Sequence, residues 1–519
     1  MLENMFSMEL NEFHDIAQKI VTNAIKESTV EEKINKLVDF LQSINFKNLK
    51  SSPYIKPFLD IVQKWEITFR EISEVIEAWT EFQTKWLYSR EIFLDNDIKL
   101  QLPEKTIKFE GISRTFKQIM LDTFERPNVY KCCVIPDRKK KFENLLFEMD
   151  ECLKSLHEYL SCKRMIFPRF SFLCDDELLR ILAENDTILI QKYIAKIFDN
   201  IEMFKFQEDE VNNETKKICT AVISCEYEIM ELKNPVIINT KVEKWMATLL
   251  EEIKNSNQQL IKKAIYIYGK MKKPRIEWMF EFQGVVIFVV NQIWRTVEIE
   301  EVFEKIKLNN KRAMKEYLSQ LNDQLNEVVT LMGGNSLTNN DRTKLDTLIT
   351  IDVHNRDTIN EFVKNNVIKI EDFKWQSQLR FYWIYNLDNC WINQCTRRFE
   401  YGYEYMGLNE RLVVTPLTDR IYLTITQALS VHLGYAGTGK TETVKNLAKT
   451  LGLLCIVTNC SEGVDHVTIG EIFRGLIQSG AWGCFDEFDH IDVSVLSIIS
   501  LQLQTLRSAL QRKATKFLV

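Results

Sequence analysis

Glycine and proline are scarce in this sequence, at 16 and 9 of 519 residues. That scarcity excludes a turn-rich all-β protein and argues against long disordered stretches. Cysteine occurs twelve times but never as a CxxC pair. Cys132 and Cys133 are adjacent, and others sit on apolar segments such as 453–460. Such spacing suits neither a zinc site nor a disulfide framework, and a reduced, cytoplasmic setting is the simplest reading. There is no excess of positive charge. The net charge of −6 gives no electrostatic basis for holding nucleic acid. The one basic cluster, Arg138-Lys139-Lys140-Lys141, reads as a solvated helix start. The longest fully apolar run lies near 285–290, far short of the ~20 residues a bilayer helix needs. Met1-Leu2-Glu3-Asn4 lacks the basic stretch and apolar run of a secretory signal. Neither nucleic acid nor membrane is therefore expected as a partner.

What is present is helix. At roughly 150 residues per domain the length suggests about three units. From residue 1 to about 400 the chain reads mostly as long amphipathic helices. Ile34, Leu37, Val38, Leu41 and Ile44 fall at helical spacing, as do Ile72, Val75, Ile76, Trp79, Phe82 and Trp86. Further helices are expected over 141–160, 192–206, 241–268 and 297–329. Breaks are expected at Ser51-Ser52-Pro53, Leu102-Pro103, Arg126-Pro127, Phe167-Pro168 and Gly333-Gly334-Asn335. The tryptophans here, such as Trp245, Trp278 and Trp375, read as core anchors rather than a cofactor box. With no catalytic constellation of its own, the region suggests a lever, scaffold or docking element.

Near residue 400 the pattern changes. Segments 411–414, 453–458 and 481–485 read as strands, and 442–451 and 469–479 as helices. Alternation of this kind predicts a parallel α/β sheet. The fold class expected is thus mainly α over 1–400, followed by a partial α/β P-loop module over 401–519.

That module carries the chemistry. Gly434-Tyr435-Ala436-Gly437-Thr438-Gly439-Lys440-Thr441 matches GxxxxGK[ST] in full. Glycines let successive backbone N–H groups point at phosphate oxygens. The helix that follows, with Glu442 in its first turn, adds the positive end of its dipole. Lys440 should reach the β- and γ-phosphates of ATP, and the Thr441 hydroxyl should ligate Mg²⁺. Further on, Ala481-Trp482-Gly483-Cys484-Phe485 runs into Asp486-Glu487. Asp486 should hold Mg²⁺, largely through water. Glu487 should polarise the attacking water as general base. Upstream, Val413-Val414-Thr415-Pro416-Leu417 reads either as a lining for adenine or as a plain corner before a helix.

These residues carry a family resemblance. Leu412-Val413-Val414-Thr415-Pro416-Leu417-Thr418-Asp419-Arg420, the P-loop, and Trp482-Gly483-Cys484-Phe485-Asp486-Glu487-Phe488 together resemble the first AAA+ module of a dynein heavy chain. Phe167-Pro168-Arg169-Phe170-Ser171-Phe172-Leu173, Asp175-Asp176-Glu177-Leu178-Leu179 and 372–383 resemble the dynein linker. Thr458-Asn459-Cys460-Ser461-Glu462-Gly463 looks most like an axonemal, inner-arm type.

The resemblance implies a minus-end-directed microtubule motor of the cytoskeleton, acting in the axoneme of a cilium or flagellum. In it, ATP turnover at the first module moves the linker. It makes Lys440, Thr441, Asp486 and Glu487 the main hydrolytic site, and puts Val414, Pro416 and Leu417 in the adenine pocket. The partners implied are the remaining AAA+ modules and the intermediate and light chains, with microtubules reached only indirectly.

Three departures from the family pattern stand out. Leu433 runs straight into Gly434, without the usual longer Gly/Ala/Pro-rich stretch. Asp489-His490 stand where Asn-Arg is usual. The chain also stops one helix past Glu487, before the arginine finger and the microtubule-binding stalk. A missing arginine finger typically costs ~10³ or more in rate, so a poor ATPase is expected of the chain alone. A non-motor interaction protein with little or no ATPase activity is the competing expectation.

Overall fold

A computed structural model describes residues 59–512 apart from 95–98, 100, 126–127, 184–186, 212–213, 239–240, 271–273, 335–336, 409–410, 429–439 and 461–464. The helix expected over 31–46 and the breaks at Ser51-Ser52-Pro53 and Arg126-Pro127 lie outside these residues. The chain divides into two compact units, residues 1–158 and 159–519.

In the first unit, α1 (Leu59–Leu94), α2 (Pro103–Glu125), the short α3 (Val129–Cys133) and the larger part of α4 (Arg138–Ile166) account for nearly all the described residues, and from Tyr159 onward α4 belongs to the second unit. Pro103 opens α2, where its missing N–H is not needed. Each long helix buries one stripe. Ile72, Val75, Phe82 and Trp86 of α1 are buried, as are Phe109, Ile112 and Phe116 of α2 and Phe142 of α4. The Phe82 ring lies 4.9 Å from Phe116 and 6.3 Å from Phe142, which knits the three helices together. Arg138 is buried and donates through Nε to the Cys132 carbonyl at 3.2 Å. The basic cluster is thus not wholly solvated.

After the end of α4 the second unit continues with a 3-10 turn, Pro168–Phe172, followed by α5 (Asp175–Ala183) and α6 (Thr187–Ile197). The helix expected over 192–206 ends at Ile197. Asn200 takes a left-handed backbone at φ 56, and β1 (Ile201–Val211) follows. β1, β2 (Glu214–Ser224) and β3 (Ile229–Ile237) form an antiparallel meander. The sequence here runs at period two, not 3.6: in β3, Met230 and Leu232 are buried between the exposed Glu231 and Lys233.

Long helices resume with α7 (Val242–Lys270), the short α8 (Arg275–Met279) and α9 (Gly284–Lys307). The expected helix over 297–329 is two helices. It breaks at the Asn309-Asn310 pair, with Asn309 at φ 71, a conformation asparagine tolerates better than most residues. α10 (Ala313–Met332) follows, with Gly333 as its C-cap, and then α11 (Asn339–Lys364). After the single-turn α12 (Phe373–Gln376), β4 (Arg380–Ile384), β5 (Asn389–Gln394) and β6 (Arg397–Glu400) make a second antiparallel sheet. The helical reading of 1–400 thus missed two small sheets. Trp245, Trp278 and Trp375 are buried, as anchors should be.

The remainder is α13 (Pro416–Ala428), α14 (Lys440–Leu451), β7 (Cys455–Asn459), α15 (His466–Ser479), β8 (Trp482–Asp486) and α16 (Val493–Gln511). β7 and β8 are parallel, pairing Cys455 with Trp482 through to Asn459 with Asp486. The strand expected over 411–414 pairs with none among the described residues. Arg411 is held instead by its side chain, whose guanidinium donates to the Asn446 and Lys449 carbonyls and to the Thr450 hydroxyl. It caps the carbonyl end of α14, where a cation also meets the negative end of the helix dipole.

One core spans the helical region and the P-loop helix. Ile261, Val286, Phe381, Ile392, Tyr401, Leu447 and Leu451 belong to the same buried cluster. The chain after β6 is hydrogen-bonded along the end of α14: Gly402 N–H donates to the Leu451 carbonyl and Glu404 N–H to the Gly452 carbonyl, both at 3.0 Å. Gly402 is required there, because a Cβ would lie 2.3 Å from the Gly452 oxygen.

Candidate nucleotide site

Lys440 is the first residue of α14 and Thr441 the second. Gly434, Gly437, Thr438 and Gly439 lie outside the described residues. Asp486 is the last residue of β8, held in register by the parallel pairing with β7 and by its carbonyl, which accepts from Cys460 N–H at 2.9 Å. The two elements converge: the Thr441 hydroxyl donates to Asp486 Oδ1 at 2.6 Å. The sequence separates these residues by two helices and a strand, and the sheet closes that separation.

The pair also passes a chemical test for magnesium. No cluster of three or more His, Cys, Asp or Glu able to hold a metal is found among the described residues. A hydroxyl and a carboxylate side by side supply only hard oxygen donors. Mg²⁺ usually takes one or two such ligands and fills the rest of its shell with water and phosphate. Thr441 and Asp486 therefore fit that ion.

Glu487 follows the strand with φ 54 and ψ 38, a left-handed backbone. Its carboxylate is largely exposed, at 65%, and lies 3.5 Å from His490 Nδ1. Glu442 is paired with Lys445 on its own helix at 2.8 Å. Lys445 is held above the usual lysine range, first by that hydrogen bond. Cys484, two residues before Asp486, has its thiol pushed up by burial and then by the Asp486 charge.

The three residues expected around adenine do not share one face. Val414 is half-buried and lines a cavity with Arg295 and His354. Pro416 is exposed at the start of α13, and Leu417 is 66% exposed. Thr415 and Thr418 bond each other across the helix entry, with the Thr418 N–H donating to the Thr415 hydroxyl. The Arg411 cap and the bond from Asn446 to the Tyr422 hydroxyl at 2.6 Å were not foreseen. Only the Arg411 position before an apolar run could have hinted at them.

Residues 42–264 match the family described as dynein heavy chain, N-terminal region 2. Residues 401–519 match the hydrolytic ATP binding site of dynein motor region. Dynein axonemal heavy chain 10 of Homo sapiens is 44% identical over 99% of this chain. Dynein-1-alpha heavy chain, flagellar inner arm I1 complex, of Chlamydomonas reinhardtii is 41% identical over the same share. Dynein axonemal heavy chain 17 of Mus musculus is 35% identical. The chain spans 12% of the length of each of these relatives.

Fold and motif together define a P-loop ATP-binding module that follows a long, mainly helical region. The two family matches narrow that class, and the chain belongs to the dynein heavy chain family.

Proposed function

We propose that this chain provides the linker and the opening part of the first ATP-hydrolysing module of an axonemal dynein of the inner-arm type. In this reading the P-loop residues Gly434, Gly437, Thr438 and Gly439 hold the phosphates with Lys440. Thr441 and Asp486 hold Mg²⁺, and Glu487 activates water. The bound ion supplies charge neutralisation at the phosphates. Pro416 and Leu417, exposed at the start of α13, form the adenine side of the site with Val414 packed behind them, and Glu442 supports the first turn of the helix.

The observation that carries the reading is the Thr441–Asp486 hydrogen bond at 2.6 Å, which brings helix start and strand tip to one point. The left-handed backbone of Glu487 supports it, since strained residues concentrate at functional sites. Coupling to linker movement is supported by the shared core and by the backbone bonds from Gly402 and Glu404 to the end of α14. Movement of the linker against further AAA+ modules, in a dynein complex of a cilium or flagellum, completes the proposal.

Titration calorimetry with ATP, with and without Mg²⁺, tests it. Binding should depend on Mg²⁺ and be lost in Lys440→Ala. If the unaltered chain binds no Mg-ATP, the enzymatic reading fails and a non-motor interaction protein takes its place.

A further inference from the structure

A second chemistry lies behind the P-loop helix. A cavity of ≈ 80 Å³ is lined by Arg295 of α9, His354 of α11, Arg411, Val414, Asp419 of α13 and Asn446 of α14, among others. Its volume is several times the 10–15 Å³ that a single water requires on the same measure.

Its walls are unusual for a core. Arg295 is only 7% exposed. It donates from Nη1 to Gln292 Oε1 at 3.2 Å, while its Nε and Nη2 have no hydrogen-bond partner among the described residues. Those two nitrogens lie on one edge of the guanidinium, the edge that takes an oxyanion in two parallel bonds. Burial pushes this group down to about 10, so it remains charged at neutral pH. Arg411 adds a second cation, its terminal nitrogens already committed to α14. His354 is held below its usual value, first by burial and then by Arg295, and so is neutral at pH 7. Asp419 is the one carboxylate among the described lining residues, 3.8 Å from His354 Nε2. The lining therefore sums to one positive charge. Asn446 Oδ1 is buried without a partner among the described residues and can accept from a ligand hydroxyl.

We propose that this cavity is a binding site for a small, free, hydroxyl-bearing oxyanion of the inorganic phosphate class, held by the open edge of Arg295. A buried cation with two unused donors is costly, and such a ligand would satisfy both. Its place between α9 and α11 on one side and α13 and α14 on the other would make it a bridge from the helical region to the nucleotide module.

The test titrates inorganic phosphate into the whole chain carrying Lys440→Ala, which weakens phosphate binding at the P-loop. One saturable site is expected, with a rise in melting temperature. Arg295→Met should weaken binding at least about tenfold, the loss of a two-pronged charged contact. In phosphate-free buffer it should melt no lower than its parent. If Arg295→Met does not fold, Val414→Phe, which fills the cavity, should abolish the phosphate response. ATP in place of phosphate should give no Arg295-dependent heat, which separates a free oxyanion from one carried on a nucleotide. No saturable phosphate binding would overturn the proposal. So would binding that survives whichever of the two variants folds, or Arg295-dependent binding of ATP.

Discussion

Arg169 grips Glu404 with both prongs of its guanidinium, Nη1 to Oε1 and Nη2 to Oε2, each at 2.7 Å. Both side chains are only 2% exposed. Arg169 Nη1 also donates to the Ile197 carbonyl at 3.1 Å, and the guanidinium lies over the Phe198 ring. The pair ties the 3-10 turn after α4 to the segment bonded along the end of α14. The same turn packs against α15, where a Cβ at Gly475 would lie 2.6 Å from that of Ser171. A linker-like sequence is thus fastened to two helices of the ATP-binding module.

Breaking one partner of a buried ion pair strands the other charge. Glu404→Ala should therefore cost about 3–5 kcal/mol of unfolding free energy. Replacing both partners by apolar residues, Arg169→Met with Glu404→Leu, should recover most of that loss. Urea denaturation of the three proteins checks it. A loss below about 1 kcal/mol in the single variant would show that the pair holds nothing together.

Two glycines should respond to alanine with opposite signs. Gly111 is exposed within α2, and a Cβ there meets nothing among the described residues within 4 Å. Gly111→Ala should stabilise its unit by about 0.5–1 kcal/mol through helix propensity. At Gly402 the obstacle is the Gly452 backbone oxygen, which no rotamer change removes. Gly402→Ala should cost about 1–3 kcal/mol and weaken the attachment of α14. Hydrogen exchange at the Gly402 and Glu404 amides reads this directly. Unchanged protection there would contradict the argument.

His354 sets a pH dependence. Its folded value is depressed, by burial first, below the ordinary histidine value of about 6.5 that serves for the unfolded chain. The unfolded chain therefore binds more protons as pH falls through that region. The stability that His354 contributes is complete above about pH 6.5. It is lost as pH drops from there toward the folded value. Raised carboxylates such as Glu228 and Glu298 act in the opposite sense, but they are common to both proteins compared. The urea midpoint of His354→Gln should fall less between pH 7.5 and 5.5 than that of the unaltered chain. Parallel curves would remove His354 from the account.

The long helices were legible because a buried stripe repeats every 3.6 residues, as with Ile72, Val75, Phe82 and Trp86. The parallel strands were legible for a similar reason, being short apolar runs between helices. β1 to β3 were not. Their charged and apolar residues alternate, but β1 follows an apolar helix, and only the turn at Asn200 ends that pattern. The Thr441–Asp486 meeting could be expected from the two motifs. The face to which each residue of 412–417 turns could not, because it is set by what packs behind Val414. Nor could the Arg295 cavity be foreseen, since its walls come from five separated stretches of sequence.

Glu487 offers the sharpest test of the candidate site, because its backbone and its side chain make separable demands. A left-handed conformation costs a residue with a Cβ roughly 1–2 kcal/mol, and glycine is free of that cost. Glu487→Gly should therefore raise stability by about 1 kcal/mol. If the carboxylate is the general base, this variant should lose whatever hydrolysis the chain supports, by a factor of about 10² or more. Glu487→Gln should match it in lost turnover without the gain in stability. In both, Mg-ATP affinity should stay close to that of the unaltered chain, because Thr441 and Asp486 are untouched. Stability by urea denaturation, affinity by calorimetry and single-turnover hydrolysis separate the three effects. If Glu487→Gln hydrolyses ATP at the unaltered rate, the left-handed turn is only a strand ending and the base must be sought elsewhere.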